Sequence, residues 1–145
     1  MKGKAWALLL TVQAVLGERV ELAFAGAGLP PLAWYDVLWE LEKAEGGRLR
    51  MHELAQRVVI TRSNLTRLVD RLESAGLIAR EPCPDDRRGA YAVLSGDGRV
   101  MRKKMWPVYS AEIDALFSSH LTEREARQLV ASFTKLIAGL QNGPS

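Results

Sequence analysis

The chain has 145 residues, of which 48% are hydrophobic and 26% are charged, with a formal net charge of +3. This length suits one domain, and the composition is globular rather than disordered, collagen-like or membrane-bundle. A single cysteine excludes an internal disulfide, and two histidines with one cysteine leave too few ligands for an ordinary zinc site. We therefore expect no metal and no cofactor.

The N-terminal segment is an apolar run over residues 5–16 that follows two lysines. It has features of a secretory signal, but Glu18, Arg19 and Glu21 interrupt the approach to the small residues that would form a cleavage site. The run is also shorter than the ~20 residues that span a bilayer. Its apolar residues cover a wide arc, which is typical of a helix buried on two sides, often by a partner subunit. We expect an interface helix in a cytoplasmic protein without membrane contact.

Proline and glycine pairs delimit the second predicted helix. It opens at Pro30 and Pro31, since proline suits the first helical turn, runs to about Ala44, and is stopped by Gly46 and Gly47. The inward side is Val37, Leu38 and Leu41, and the outward side is Glu40, Glu42 and Glu45.

Two further helices follow. A short extended piece over 48–50 leads to a helix of one or two turns, which begins near Arg50 without a good N-cap. The next helix has an N-cap at Thr61, and Gly76 supplies a left-handed end after which Leu77 packs back on Leu72. Its apolar residues recur at helical spacing: Leu65, Leu68, Val69 and Leu72.

The C-terminal half alternates strands and helices. Residues 77–81 and 90–94 are predicted strands, joined by a polar hairpin tip over 82–89. Ser95 caps a helix over about 97–118, in which Pro107 predicts a kink or a new segment. A capping box at 122–125 opens the last helix. Its apolar side is Leu129, Val130, Phe133, Leu136, Ile137 and Leu140. We therefore predict a mainly α fold with a small β-wing, a winged helix-turn-helix, which presents one helix to duplex DNA.

The charge is unevenly distributed along the chain. Residues 48–104 hold 13 Lys/Arg and 7 Asp/Glu, a net charge of +6, whereas the remainder holds 7 basic and 10 acidic residues, a net charge of −3. The positive charge therefore coincides with the predicted helix-turn-helix and wing, as neutralisation of DNA phosphates requires.

The outward side of the helix over 61–75 is polar and basic. Its residues are Arg62, Ser63, Asn64, Thr66, Arg67, Asp70 and Arg71. Arginine and asparagine suit base edges in the major groove, whereas small hydroxyls and a helix N-terminus suit phosphates. For Arg71, pairing with Asp70 or in the neighbourhood of Glu73 is an equal alternative to DNA contact.

The hairpin tip offers a second contact. A carboxylate of Asp85 or Asp86 beside Arg87 and Arg88 can hold an arginine extended, which suits the narrow minor groove of A·T-rich DNA. The alternative is an ordinary polar turn in which these residues pair with one another.

These motifs resemble the MarR (multiple antibiotic resistance regulator) family. The resemblance covers almost the whole chain in element order, and its motifs lie within about residues 50–100. They are Leu54-Ala55, the run TRSNLTRLVDRLE over 61–73, Gly76-Leu77-Ile78, DDRRG over 85–89, Val93-Leu94-Ser95 and Gly98. One MarR-like domain over 1–145 is thereby implied, with dimerisation helices in 1–29 and 97–142 and the DNA-binding region in 31–95.

The resemblance also implies a function. Such a protein binds a roughly palindromic operator in double-stranded DNA as a homodimer, often as a repressor that is released by a small, frequently aromatic ligand. The implied recognition-helix residues are Thr61, Arg62, Ser63, Asn64, Thr66, Arg67 and Arg71, and the implied wing residues are Asp85, Arg87 and Arg88. Arg87 is the expected wing-tip arginine, braced by Asp85. Trp34, Tyr35 and Trp39 are core or subunit-interface anchors by default and, alternatively, lining of an effector pocket.

Other functions fit less well. His52-Glu53 lacks the second histidine of a zinc protease motif, and no nucleophile, histidine and acid stand out together, so we predict that the chain is not an enzyme. Cys83 in the wing is a spectator or an oxidisable thiol, and peroxide sensing through a cysteine near the first helices is not supported. The competing hypothesis is a winged-helix protein–protein interaction module without a specific DNA target, but such a face more often carries apolar anchors.

Overall fold

The computed structural model describes residues 1–58 and 62–142, except the side chains of residues 62 and 86–88. Helices dominate this part of the chain, and three strands form one small sheet. The elements are α1 (Lys2–Gly26), α2 (Leu32–Lys43), β1 (Arg48–Arg50), α3 (Met51–Arg57), α4 (Arg62–Ser74), β2 (Ile78–Cys83), β3 (Asp86–Leu94), α5 (Gly96–Leu116) and α6 (Glu123–Gln141). Short 3₁₀ turns cover Glu45–Gly47 and Ser118–His120. The predicted fold class is confirmed.

The sheet is antiparallel, with β3 between β1 and β2. The predicted extended piece over 48–50 is β1, and Leu49 pairs with Ala92 at the centre of the sheet. The hairpin is longer than predicted, because Pro82 and Cys83 still belong to β2 and only Pro84 and Asp85 form the turn. Proline is tolerated there at a register shift between Pro82 and Cys83, where the ladder is already interrupted.

One hydrophobic core lies between the helices and the sheet within residues 1–109, which form one compact unit. Its central side chains are fully or almost fully buried: Val37, Leu38, Leu41, Leu54, Leu65, Val69, Leu72 and Ala92. The inward residues predicted for α2 and the apolar stripe predicted for α4 are both confirmed. Burying one such leucine contributes roughly 2 kcal/mol to the free energy of unfolding. Because the core contains residues of α2, α4 and the sheet, it holds α4 in a defined orientation against them.

Several ends of elements follow the predicted capping chemistry. At the end of α4, Gly76 has a φ of +76°, and the N–H groups of Leu77 and Gly76 donate to the carbonyl oxygens of Leu72 and Glu73 at 3.0 and 2.9 Å. This is the predicted Schellman ending. Ser95 Oγ accepts from the N–H of Gly98 at 3.0 Å, as predicted for the cap of α5.

For α3 the expectation of a poor N-cap is confirmed, because Arg50 makes no side-chain cap bond. The Glu53 carboxylate accepts a hydrogen bond from the N–H of Arg50 at 3.2 Å. Of the two alternatives for Pro107, a new segment is excluded, since α5 continues through it to Leu116. One expectation needs correction. Glu42 does not face solvent, because its side chain is only 15% exposed and forms an ion pair with Arg102.

The unit from residue 110 onward contains the end of α5 and the whole of α6. Its capping box is formed as predicted: Thr122 Oγ1 accepts from the N–H of Glu125, and Glu125 Oε1 accepts from the N–H of Thr122. These bonds to Thr122 lower the pKa of Glu125. No residue of α6 is buried. Among the described residues, no helix has both the length and the apolar character to cross a membrane.

Candidate nucleic-acid interface and ligand cleft

Helix α4 has one buried apolar side and one exposed polar side. The apolar side packs into the core, as described above. The described residues between the buried apolar positions of α4 include six exposed polar ones: Ser63, Asn64, Thr66, Arg67, Asp70 and Arg71. We call this set the recognition surface. It combines hydroxyl, amide and guanidinium groups along one face, which are the groups that hydrogen-bond to phosphates and base edges.

An arginine from the neighbouring strand neutralises both acidic side chains of α4. Arg80 on β2 places Nη2 at 2.6 Å from Asp70 Oδ1, and its Nη1 donates to Glu73 Oε1 at 3.1 Å. Nη2 also donates to the carbonyl oxygen of Thr66 at 3.5 Å. Because these contacts join α4 to β2 at several points, Arg80 constrains how the recognition helix is oriented on the sheet.

The structure bears on the alternative that the sequence left open for Arg71. Asp70 and Glu73 both pair with Arg80, and among the described residues neither forms an ion pair with Arg71. Within the described part of the chain, Arg67 and Arg71 are exposed and take part in no ion pair. Their charges therefore remain available to an anionic partner.

Sequence reasoning missed Arg80, although a signal for it exists. Ile78 is buried, and side chains two apart on a strand point to the same face, so Arg80 lies on the side of β2 that packs on the helices. Asp70 and Glu73 are three residues apart and so share one side of α4. Only the packing of β2 against α4 shows that Arg80 meets these two carboxylates.

The remaining predicted DNA-binding residues are described only in part. Thr61 lies outside the described residues, as do the side chains of Arg62, Arg87 and Arg88. Asp85 is exposed in the two-residue turn of the hairpin. The bracing of Arg87 by Asp85 therefore stays a prediction.

Two more arginines are held on the sheet by an aromatic ring. The Cζ of Arg48 lies 4.5 Å from the ring centroid of Tyr91, and that of Arg50 lies 5.8 Å from it. A hydrogen bond to Tyr91 raises the pKa of Arg50, and Arg48 is 3.7 Å from a carboxylate oxygen of Glu81. Such cation–π contacts restrict the arginines without removing their charge.

An open cleft of about 680 Å³ lies between α2 and α5 within the unit of residues 1–109. Its lining is aromatic and charged: Tyr35, Asp36, Trp39, Glu42, Arg102, Trp106 and Tyr109. The Tyr35 ring is stacked on Trp106, with centroids 6.2 Å apart, and meets Tyr109 edge-on at 5.0 Å. A cleft of this size and aromatic character is suited to a small organic molecule.

Arg102 is the charged centre of one wall of the cleft. Its Nε lies 2.8 Å from Glu42 Oε2, and both side chains are at least 85% buried. Its Cζ lies 5.0 Å from the centroid of the Trp39 ring. Burial raises the pKa of Tyr35, and a hydrogen bond with Arg102 opposes that shift. The charge of Arg102 is thus already matched by a carboxylate and an aromatic face.

Asp36 lies on the cleft wall without such a match. Burial, followed by the negative charges of Glu40 and Glu21, raises its pKa to about 6. No ion pair of Asp36 is formed within the part of the chain that the structure describes. The negative charge of Asp36 in turn contributes, after burial, to a raised pKa of Tyr109.

The three aromatic residues singled out from the sequence have different positions. Tyr35 and Trp39 line the cleft, whereas Trp34 packs against the hydrophobic core and is not part of the wall. Their role as effector-binding residues stays a prediction. Among the described residues, no group of three or more His, Cys, Asp or Glu side chains is placed to hold a metal ion.

A helix-turn-helix of α3 and α4, followed by the β2–β3 hairpin, defines a winged helix-turn-helix protein. A model of the MarR family matches residues 27–89. AbsC, a MarR family transcriptional regulator from Streptomyces coelicolor, is 30% identical, with 97% of this chain and 95% of AbsC covered at a TM-score of 0.88. This chain therefore belongs to the MarR family, as its motifs predicted, and members of this family are regulators rather than enzymes.

Other relatives agree with this assignment. Sco3205, a MarR family transcriptional regulator from Streptomyces coelicolor solved in complex with DNA, is 27% identical, with 97% of this chain and 88% of Sco3205 covered at a TM-score of 0.88. The HTH-type transcriptional regulator PrsX of Escherichia coli is 30% identical over 74% of this chain. That alignment spans 64% of PrsX, and the alignment with the Bacillus subtilis regulator YkoM spans 57% of YkoM.

Proposed function

We propose that this protein is a transcriptional regulator that binds a palindromic operator in duplex DNA with α4 in the major groove. The observation that carries the proposal is the recognition surface, in which Arg67 and Arg71 form no ion pair with the described residues while Arg80 neutralises Asp70 and Glu73. The net charge of +6 over residues 48–104 supports it. The similarity to Sco3205, which was solved in complex with DNA, supports it as well.

Selection of bound fragments from genomic DNA, followed by titration at several salt concentrations, tests this proposal. Each phosphate that the protein neutralises contributes about −0.9 to the slope of log affinity against log salt concentration. We expect enrichment of a roughly palindromic sequence and a steep negative slope. If no fragment is preferred and affinity does not depend on salt, the alternative of a protein–protein interaction module gains support and the regulator proposal fails.

The wing is the second element of the proposed DNA contact. From the sequence motif, Arg87 enters the minor groove, with Asp85 and Arg88 beside it. Arg87→Ala is expected to weaken operator binding while the thermal midpoint of unfolding stays the same. An unchanged affinity would remove the wing from the mechanism.

We further propose that the terminal helices pair two copies of the chain. Large apolar side chains stay exposed on α1 and α6. They are Trp6, Leu8, Leu9, Leu10, Val12, Val15 and Leu22 on α1, and Val130, Phe133, Leu136, Ile137 and Leu140 on α6. Because a soluble monomer rarely exposes so many large apolar side chains on its helices, a second copy is the expected cover, and a two-fold operator fits a two-fold dimer.

Sedimentation of two matched variants tests the dimer. Leu136→Asp places a charge on the apolar side of α6, whereas Thr134→Asp places the same charge on the opposite side of the same helix. We expect the first variant to shift the protein toward monomer and to weaken operator binding, and the second to do neither. A wild-type protein that sediments as a monomer at all concentrations would contradict the proposal.

The cleft between α2 and α5 is the proposed effector site, and repression with release by a ligand is the proposed mode of regulation. The cleft is lined by α2, which belongs to the predicted DNA-binding region, and by α5, which belongs to the predicted dimerisation region. A ligand that binds one arrangement of these helices better than another shifts the population between them, and with it the affinity for DNA. The cytoplasmic location predicted from the sequence stays a prediction.

A further inference from the structure

The α2–α5 cleft has an imbalance of charge that the proposed function does not use. Two of the described side chains on its wall, Asp36 and Glu42, are carboxylates, and one, Arg102, is basic. Arg102 is matched by Glu42 at 2.8 Å, so this pair adds no net charge. What remains on the wall is the charge of Asp36.

The charged groups that shift the pKa of Asp36 are carboxylates of α1 and α2, whereas Arg99 and Arg102 of α5 both lie within 4.0 Å of Glu42. Residues 18–45 contain six acidic and two basic residues, and the two carboxylates that act most strongly on Asp36 are Glu40 on α2 and Glu21 on α1. Of the two basic residues, Lys43 is already 2.9 Å from Glu40 Oε1. Glu21 accepts a hydrogen bond from the N–H of Leu32 at 2.7 Å, which fixes its carboxylate near the start of α2.

The aromatic rings of the cleft complete a site for a positive charge. Tyr35, Trp106 and Tyr109 meet in stacked and edge-on contacts with centroids 5.0 to 6.2 Å apart, on the same cleft wall as Asp36. The faces of such rings attract cations, most strongly organic ammonium groups that are weakly hydrated. A carboxylate beside aromatic rings in a partly buried cleft therefore favours an organic cation over an anion of the same size.

We propose that the α2–α5 cleft selects an organic cation, an aromatic or apolar molecule that carries an ammonium group, with Asp36 as its counter-ion. This inference rests on the proposed function only for its regulatory consequence, because binding of the cation to the protein does not require DNA. An anionic ligand has to compete with Glu42 for Arg102 and to approach Asp36 as a like charge. A cation instead supplies the charge that Asp36 lacks, and it stabilises the ionised form of a carboxyl group whose pKa is raised.

Titration with three probes of similar shape tests the proposal: benzyltrimethylammonium, benzyl alcohol and benzoate. Binding is followed by calorimetry and by the fluorescence of Trp39 and Trp106, which line the cleft. We expect the cation to bind at least about tenfold more tightly than the neutral alcohol, and benzoate to bind most weakly. If benzoate binds more tightly than the cation, or if no probe binds, the proposal is overturned.

Matched variants locate the charge that is responsible. Asp36→Asn keeps the shape of the side chain and removes its charge, so affinity for the cation is expected to fall about tenfold while affinity for benzyl alcohol stays the same. Glu45→Gln removes an equal charge from an exposed residue outside the cleft wall and is expected to change neither affinity. Equal losses in both variants, or none in Asp36→Asn, would show that Asp36 is not the counter-ion.

DNA binding measured with and without the cation keeps the two proposals apart. If the chain binds no operator, the proposed function fails, and the titrations still decide the nature of the cleft. If the cation binds but operator affinity stays the same, the cation site is supported and its role as an effector site fails. We expect the cation to change operator affinity in the wild type and to require about tenfold higher concentration for the same change in Asp36→Asn.

Discussion

The recognition surface of α4 and the α2–α5 cleft share one arrangement of charges but are left with opposite unmatched charges. In each, one arginine from a neighbouring element neutralises carboxylates of a helix: Arg80 binds Asp70 and Glu73 of α4, and Arg102 binds Glu42 of α2. On α4 both acids are neutralised, and arginines that form no ion pair with the described residues remain, which suits DNA. In the cleft one acid too many remains, and Asp36 suits a cation. On these proposals, ligand preference depends on which charges stay unmatched, more than on how many are present.

Arg102 is more deeply buried than Arg80, and its replacement is therefore expected to have the largest effect on stability. Arg102→Met leaves the largely buried Glu42 carboxylate with only the distant Arg99 guanidinium, 4.0 Å away, and loss of a buried partner typically costs about 3 kcal/mol in the free energy of unfolding. Lys43→Met is the matched control, because it breaks the more exposed pair with Glu40 on the same helix and should cost less than about 1 kcal/mol. Urea unfolding at fixed protein concentration measures both, and similar small values would contradict the assignment of Arg102 as a buried partner.

The next effect concerns DNA binding by the recognition surface. Arg67→Ala removes an exposed guanidinium from α4 and should weaken operator binding by about 1–3 kcal/mol if it contacts a base edge. If it contacts a phosphate, the salt slope should fall by about 1 as well. Arg19→Ala, which removes an exposed charge from α1, serves as the control in the same fluorescence anisotropy titration. Equal affinity of both variants would remove Arg67 from the interface.

Arg80→Met tests whether the orientation of α4 matters in addition to its charge. Its ion pairs with Asp70 and Glu73 are partly exposed, so their loss should lower stability by only about 1 kcal/mol. Operator affinity should still fall about tenfold, because α4 loses its contacts with β2 and is held less precisely in its orientation. Unlike Arg67→Ala, this variant should keep the salt slope of the wild type, since Arg80 contacts protein groups rather than phosphate. A slope reduced by about 1 would make Arg80 a direct DNA contact instead.

The smallest expected effect is the pH dependence that Asp36 adds to stability. Folding raises its pKa from 3.8 to about 6, so the folded state binds the proton more tightly than the unfolded state does. Stability should therefore fall as pH rises from about 4 through 6, and the full penalty should be present above about 7. After allowance for solvent screening of this partly exposed group, Asp36→Asn should stabilise the fold by about 1 kcal/mol near pH 7.5 and by almost nothing near pH 4.

Urea unfolding of the wild type and Asp36→Asn across this pH range measures the effect. Asp114→Asn is the control, because Asp114 is an exposed aspartate of α5. A constant difference between the wild type and Asp36→Asn at every pH would mean that Asp36 titrates normally.

Local signals were sufficient for most of the fold. The end of α4 at Gly76, the cap of α5 at Ser95 and the capping box at Thr122 depend on residues within one or two turns. Hydrogen-bond chemistry that can be read from the sequence therefore determines them. The MarR resemblance was likewise predictable, because its motifs are contiguous. The length of the β2–β3 hairpin was not, because the strands continue through Pro82 and Cys83 at a shifted register that only the paired strand defines.

The candidate sites likewise combine features that local sequence determines with features that depend on tertiary packing. The sequence by itself determined which residues form the polar side of α4, because helical periodicity separates that side from Leu65, Leu68, Val69 and Leu72. Only the tertiary structure decided which charges stay unmatched. Arg80 meets Asp70 across 10 residues of chain, and Arg102 meets Glu42 across 60. Charges that distant become neighbours only after packing brings their elements together, and their burial then determines how strongly they interact.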